Sequence, residues 1–374
     1  MTTINGFVAP GFEGVQDAFA QNFAQGLESG ASICLMKDGE CVVDIWAGTK
    51  DKRRQEPWEQ DTLVPVFSTT KAIAALVIAW LYEHGRLDYD QSVASLWPEF
   101  AQNGKGDITI SQALSHQAGL SGLTEPIEPY DWYNPDLICE KLAAQAPIWP
   151  PGSASGYHPL TFGFLAGEIA RRADKHHRTI GTILREDLCA PNDIDFYIGT
   201  PESEHARCAD LHKPRALPDL GDMNAASKAA FGMPWSSPGG RGTAAWRKAE
   251  LAGANGHGTA RALAALMALA LDGTLNGQQY LSQRTIMALS SEQISGPDLV
   301  LPFDLTFANG IMLNHPNHFY GPEDLTLGHS GWGGSCAFAD RANKITFAYV
   351  MNKQSHILIG DPRPLAIIDA IYTA

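Results

Sequence analysis

Ser68 and Lys71 stand three residues apart at the entrance to the apolar run Ala72-Ile-Ala-Ala-Leu-Val-Ile-Ala-Trp-Leu-Tyr82. On a helix that spacing is about one turn, so the two side chains share a face and the Ser hydroxyl can pass its proton to the Lys amine. The order also breaks a capping rule. A Ser at a helix start favours Glu or Gln three residues on, which closes a capping box and suits the positive helix end. A Lys there forgoes ~0.3–1 kcal/mol of dipole stabilisation, and local violations of this kind tend to mark functional sites. To accept a proton Lys71 must be neutral, and burial and the helix end both depress its pKa. The Ser68 backbone N–H, at the same helix end, is a candidate oxyanion donor. By itself the pattern is weak, since a chain of this length carries about one S-x-x-K by chance and N-capping is the commonest use of such a Ser.

Two further segments carry chemistry. Gly156-Tyr157-His158 follows the Pro150-Pro-Gly152 turn and precedes a helix near Thr161. A phenol held beside a cationic Lys becomes acidic enough to relay protons; elsewhere it is an ordinary amphipathic aromatic. In Leu327-Gly-His-Ser-Gly-Trp-Gly-Gly-Ser335, three Gly in four residues strip side chains from a strand edge and let a substrate approach the backbone, or mark a bulge at a sheet corner. Gly328-His-Ser-Gly-Trp332 nearly spells a G-x-S-x-G nucleophile elbow, but Trp332 occupies the last Gly position and a strand pattern follows where the elbow needs a helix, so Ser330 is discounted as nucleophile. Tyr130, Trp132, Tyr133, Trp149 and Trp235 are candidates to line an apolar acyl or alcohol pocket, or equally to be core. His315, His318, His176 and His177 have no supporting Cys or carboxylate pattern and read as loop residues, and His116 reads as structural.

The elements that must position these groups are legible from periodicity and turn residues. Ala31-Ser-Ile-Cys-Leu-Met36 and Cys41-Val-Val-Asp-Ile-Trp46 flank Lys37-Asp-Gly-Glu40, a strong hairpin signal. A second pair, 334–339 and 345–351, and an amphipathic segment at 364–372 close the chain. Between them the pattern predicts helices over 69–84, 111–117, 135–145, 161–174, 178–188, 259–272 and 283–292, with Gly85 and Gly273 as stops. The Pro/Gly-rich stretches 147–152 and 234–242 read as loops. This is an α+β pattern: an antiparallel sheet built from N- and C-terminal strands, flanked by helices, with an inserted mainly helical lobe and a cleft between lobes as the natural site. The expected divisions are 1–85 and 255–374 for the α/β lobe and 86–254 for the helical lobe, as one unit.

The 374 residues suffice to bury a large core without disulfides, and the formal charge of −14 argues against nucleic-acid partners. Six scattered Cys form neither a disulfide framework nor a zinc-type spacing. A two-residue hairpin at Asp38-Gly39 would set Cys34 opposite Val43, away from Cys41. With no signal-peptide pattern at residues 1–10 and no apolar run of the ~18–20 residues that span a bilayer, a cytoplasmic protein without membrane association is expected.

In order and content these motifs resemble the serine β-lactamase-like hydrolases, especially class C β-lactamases and family VIII carboxylesterases. The resemblance rests on Val66-Phe-Ser-Thr-Thr-Lys71, Leu114-Ser-His-Gln-Ala-Gly-Leu120, Pro151-Gly-Ser-Ala-Ser-Gly-Tyr157, Asn255-Gly-His-Gly-Thr-Ala-Arg261 and Gly328-His-Ser-Gly331, spread over residues 30–350. The association of S-x-x-K with K-T-G is an established signature of that superfamily. The resemblance implies a β-lactamase/transpeptidase-like fold with Ser68 as acyl-enzyme nucleophile, Lys71 as proton acceptor and Tyr157 as general base and acid. His329-Ser330-Gly331 falls on the K-T-G strand, making the Trp332 N–H the second oxyanion donor. Two departures favour small esters over β-lactams or D-Ala-D-Ala: Pro159 stands where the family carries Asn, and His329 replaces the strand Lys. The expectation is a cofactor- and metal-free serine carboxylesterase acting on short-chain esters. A β-lactamase, D-aminopeptidase or transesterase, and a non-catalytic binding or scaffold member, are the alternatives.

Overall fold

Within residues 2–53, 55–214, 216 and 218–374, which this computed structural model describes, the two ends of the chain meet in one sheet. Its strands are β1 (Ile4–Val8), β2 (Gly30–Lys37), β3 (Glu40–Gly48), β4 (Ile294–Pro297), β5 (Asp304–Phe307), β6 (Met312–Leu313), β7 (Leu327–Ser330), β8 (Cys336–Asp340) and β9 (Ile345–Met351). They lie in the order β1-β3-β2-β9-β8-β7-β6-β5-β4, each antiparallel to its neighbours. The seam between the chain ends is the β2/β9 ladder, running from Ala31 opposite Met351 to Lys37 opposite Ile345.

The β2/β3 hairpin turns through Asp38 and Gly39, both at positive φ (51° and 82°), as a tight two-residue turn requires. A bulge at Leu35/Met36 shifts the register, so Cys34 faces Asp44 rather than the expected Val43. The Cys34 and Cys41 sulfurs lie 4.0 Å apart, and all six thiols are free. In the central strands, large residues (Ile33, Leu35, Phe338, Phe347, Tyr349) face one side and smaller ones (Cys34, Ala337, Ala339, Ala348, Val350) the other. The alternation is large against small because both faces are covered. Helices α1 (Glu13–Ala24) and α5 (Pro362–Ile371) pack together over the large-residue face.

The small-residue face admits the helical core. Helix α2 (Thr70–Glu83) is apolar on all sides and buried from Thr70 to Ala79, packing on α3 (Thr161–Ala173), while α4 (Ala260–Leu271) lies on β2, β8 and β9. Gly85 and Gly273 take positive φ just beyond α2 and α4, as their stop assignment requires. The expected α+β fold is the observed one. Strands β1, β4, β5 and β6 were not legible, being short or partly exposed.

Candidate active site

Phe67 sits at φ +47°, a conformation costing a non-glycine residue of order 1–3 kcal/mol. It opens a 3-10 turn, Phe67–Thr69, that runs into α2. Neither the turn nor the helix has a side-chain cap, so Ser68 is not the N-cap that its position suggests. Its hydroxyl meets the Lys71 amine at 3.1 Å instead. The turn is held from three sides. Val66 N–H donates to Gly256 O, the Thr70 hydroxyl accepts from Gly256 N–H, and Ser335 Oγ bonds both Val66 O and Thr69 Oγ1. Gly331 makes this approach possible, since a Cβ there would fall 2.1 Å from Val66 O and 2.3 Å from Ser335 Oγ.

Lys71 is fully buried, and no carboxylate among the described residues pairs with it. Besides Ser68, its Nζ bonds Pro159 O at 2.8 Å and Gly253 O at 2.7 Å, and it lies 4.7 Å from the Tyr157 ring centroid. Burial drives its pKa well below the ordinary amine value. Pro159, which has no side-chain amide to offer, contributes its carbonyl.

Tyr157 is placed by residues far apart in sequence. Its N–H donates to Asp298 Oδ1, which also accepts from Val300 and Leu301 N–H. Gly156 N–H donates to His116 O. His158 N–H donates to His116 Nδ1, Leu120 N–H donates to His158 Nε2, and His158 Nδ1 faces Gly156 O at 2.6 Å. These partners assign neutral tautomers to both imidazoles, and burial agrees, taking His158 down to about 3 and His116 well below its usual value. His116 is structural, as expected. Asp298 is a positioning group that sequence reasoning missed, its only local signal being the turn Gly296-Pro-Asp298.

The expectation that a cationic Lys71 acidifies the phenol is not met. Burial raises the Tyr157 pKa, with the Ser68 hydroxyl pulling it partly back, and the same burial drives the Lys71 pKa well down.

His329, on β7, is 2% exposed and its pKa falls to about 3, first through burial and then through repulsion by Lys71. Its Nδ1 faces Ser330 O at 2.8 Å, so Nδ1 carries the proton; Nε2 is left as a buried acceptor with no partner among the described residues. Beyond Ser330 the chain turns, with Gly331 N–H bonding Ser335 O at 2.7 Å. The backbone N–H groups of Ser68 and Trp332 make no hydrogen bond among the described residues.

Ser68, Tyr157, His329, Ser330 and Trp332 open together onto a cavity of about 750 Å³, otherwise walled by residues such as Phe67, Phe231, Trp246 and Leu301. Trp149 and Trp235, expected in its wall, do not line it, nor do Tyr130, Trp132 and Tyr133. Trp149 donates its indole N–H to Ala154 O and packs behind Gly156. Trp235 donates to Leu123 O, Trp132 to Trp235 O, and Tyr133 to Gly239 O. Buried indoles and phenols need acceptors, and here they find them in loop backbone, so these aromatics brace segments 147–156 and 234–242 rather than the ligand space. Among the described residues no cluster suits a metal ion, and no helix is long and apolar enough to cross a membrane.

The sequence model of the Beta-lactamase family matches residues 19–370. A penicillin-binding protein homologue from Caulobacter crescentus superposes with a TM-score of 0.97 and 53% identity, covering 100% of both chains. A family VIII carboxylesterase of known structure is 41% identical, with a TM-score of 0.93 over 99% of each chain. The esterase/beta-lactamase LipL of Mycobacterium tuberculosis is 33% identical over 362 residues, which are 93% of this chain and 82% of that protein.

Proposed function

This chain belongs to the beta-lactamase family, and from that premise we propose that it is a serine carboxylesterase cleaving short-chain esters through an acyl-enzyme on Ser68. The observation that carries the reading is the bonding of Lys71. Lys71 Nζ donates to Pro159 O, Gly253 O and Ser68 Oγ, and the neutral form that burial favours keeps its two N–H groups on the carbonyls and turns its lone pair to the Ser68 hydroxyl.

Ser68 Oγ attacks the ester carbonyl as its proton passes to Lys71. The carbonyl oxygen, now negative, is received by the free N–H groups of Ser68 and Trp332. Tyr157, kept protonated by burial, gives its proton to the departing alkoxide as the C–O bond breaks and is reprotonated from Lys71. Water then attacks the acyl-enzyme carbonyl. Its proton leaves by the same path, and Ser68 Oγ departs with a proton. The family VIII carboxylesterase and LipL support ester chemistry by likeness. A neutral His329 supplies no cation on β7.

The test is hydrolysis of p-nitrophenyl acetate and butyrate by the wild type and Ser68→Ala, with nitrocefin in parallel. We expect Ser68→Ala to lower kcat by at least about 10³-fold with an unchanged melting temperature. Comparable turnover by both proteins would overturn the assignment.

A further inference from the structure

The cavity that Ser68 opens onto has an unusual charge balance for so acidic a chain. The net charge is −14, yet no Asp or Glu among the described residues lines the cavity, while Arg241 and Lys213 do. Arg241 is half-buried, and its guanidinium lies between two rings, 4.8 Å from the Trp332 ring centroid and 5.6 Å from that of Phe67. These are the neighbours of the reacting serine and of the proposed oxyanion site. Of the five N–H donors a guanidinium carries, one is used among the described residues, toward Ser237 Oγ at 3.1 Å. No carboxylate among the described residues pairs with it, and what sets it apart from other unpaired arginines such as Arg185 and Arg247 is its place in the wall of this cavity.

The loop that presents Arg241 is braced. Tyr133 bonds Gly239 O, Gly239 N–H bonds Pro129 O at 3.0 Å, and Trp235 is fixed at both its indole N–H and its carbonyl. Keeping a desolvated, unpaired cation on a braced loop costs stability, and that cost is recovered when an anion arrives. His329, neutral and with Nδ1 turned to Ser330 O, offers a carboxylate no donor from β7, so among the described lining residues Arg241 and Lys213 are the cations.

We propose that Arg241 is a specificity-determining residue and that the preferred substrates are esters bearing a free carboxylate, gripped by its guanidinium fork while Ser68 attacks the ester carbonyl. This rests on the ester-hydrolase reading above and adds the substrate class. The carboxylate does not react, so its grip acts mainly on KM.

The experiment compares matched pairs of neutral and anionic esters. One pair, methyl 4-acetoxybenzoate and 4-acetoxybenzoate, carries the charge on the alcohol side; the other, diethyl adipate and monoethyl adipate, carries it on the acyl side. For each pair the ratio of kcat/KM, anionic over neutral, is measured in wild type, Arg241→Gln and Arg241→Lys. Charge-assisted hydrogen bonds of this kind predict a fall in the ratio of about 10- to 100-fold in Arg241→Gln, through KM, in at least one pair. Arg241→Lys restores it in part, because the charge returns without the fork. Ratios unchanged in both pairs overturn the proposal.

A separate arm measures calorimetric binding of 4-hydroxybenzoate and monoethyl adipate to Ser68→Ala and to Ser68→Ala/Arg241→Gln. At least one of them binding the first and not the second supports the anion site even if neutral esters are not turned over, which is how failure of the serine reading is told apart. Equal binding of each to both proteins, or binding to neither, counts against Arg241.

Discussion

Arg363 and Lys71 are both buried cations, and the fold treats them in opposite ways. Arg363, on α5, meets Asp361 at 2.9 Å and Glu28 at 3.2 Å and donates to the carbonyls of Lys353 and Gly333. Its charge is retained. Lys71 is given two carbonyls and one hydroxyl, with no anion among the described residues, and burial drives its pKa well down toward the neutral form. Desolvating a charge costs several kcal/mol, which a partner offsets and a lone carbonyl does not. A paired buried cation therefore ties elements together, here α5, the β9 end and the Gly333 turn. Lys71, unpaired and beside the Ser68 hydroxyl, is left as a base.

The contrast is sharpest in activity. Lys71→Met should lower kcat/KM on p-nitrophenyl butyrate by about 10³-fold or more, because the proton acceptor is gone. Its unfolding free energy in urea should stay within about 2 kcal/mol of wild type, since relief from desolvation offsets the two abandoned carbonyls. Arg363→Met should reverse the order of effects. It strands two buried carboxylates and should cost about 3–5 kcal/mol of stability in the same urea experiment, with a smaller loss in kcat/KM arising from the unanchored Gly333 turn. If both variants lose activity and stability alike, the division between tie and base is wrong.

The smallest effect concerns Glu28. Burial, only partly opposed by Arg363, pushes its carboxyl up from 4.5 to about 7. Between those values the native state holds a proton that the unfolded chain has released, so this group's contribution is full below pH 4.5 and is lost as pH rises through about 7. Urea midpoints of Glu28→Gln should show a flatter pH slope than wild type across that window. An unchanged slope assigns the titration elsewhere.

Much of the site was readable before any coordinates. Ser68 and Lys71 lie within one helical turn, and that adjacency follows from the chain's local geometry wherever the segment is helical. The β2/β3 hairpin was equally local, written by Asp38-Gly39, while the bulge that reset its register was not. The aromatics left open between pocket and core could not be decided locally for a related reason. A Trp in a Pro-rich stretch announces burial, but which acceptor its N–H finds depends on chains 100 or more residues away, as with Trp235 and Leu123, 112 positions apart.

The sequence by itself determined the reacting groups and their local spacing, because side-chain chemistry and helical periodicity belong to neighbouring residues. Only the tertiary structure decided that Lys71 is stripped of water and left without an anion. It alone brings Asp298 to hold Tyr157 and leaves Arg241 as an unpaired cation in the same cavity. Desolvation and charge pairing are properties of the packed state, set by which distant segments fill the space around a group, and no local pattern encodes them.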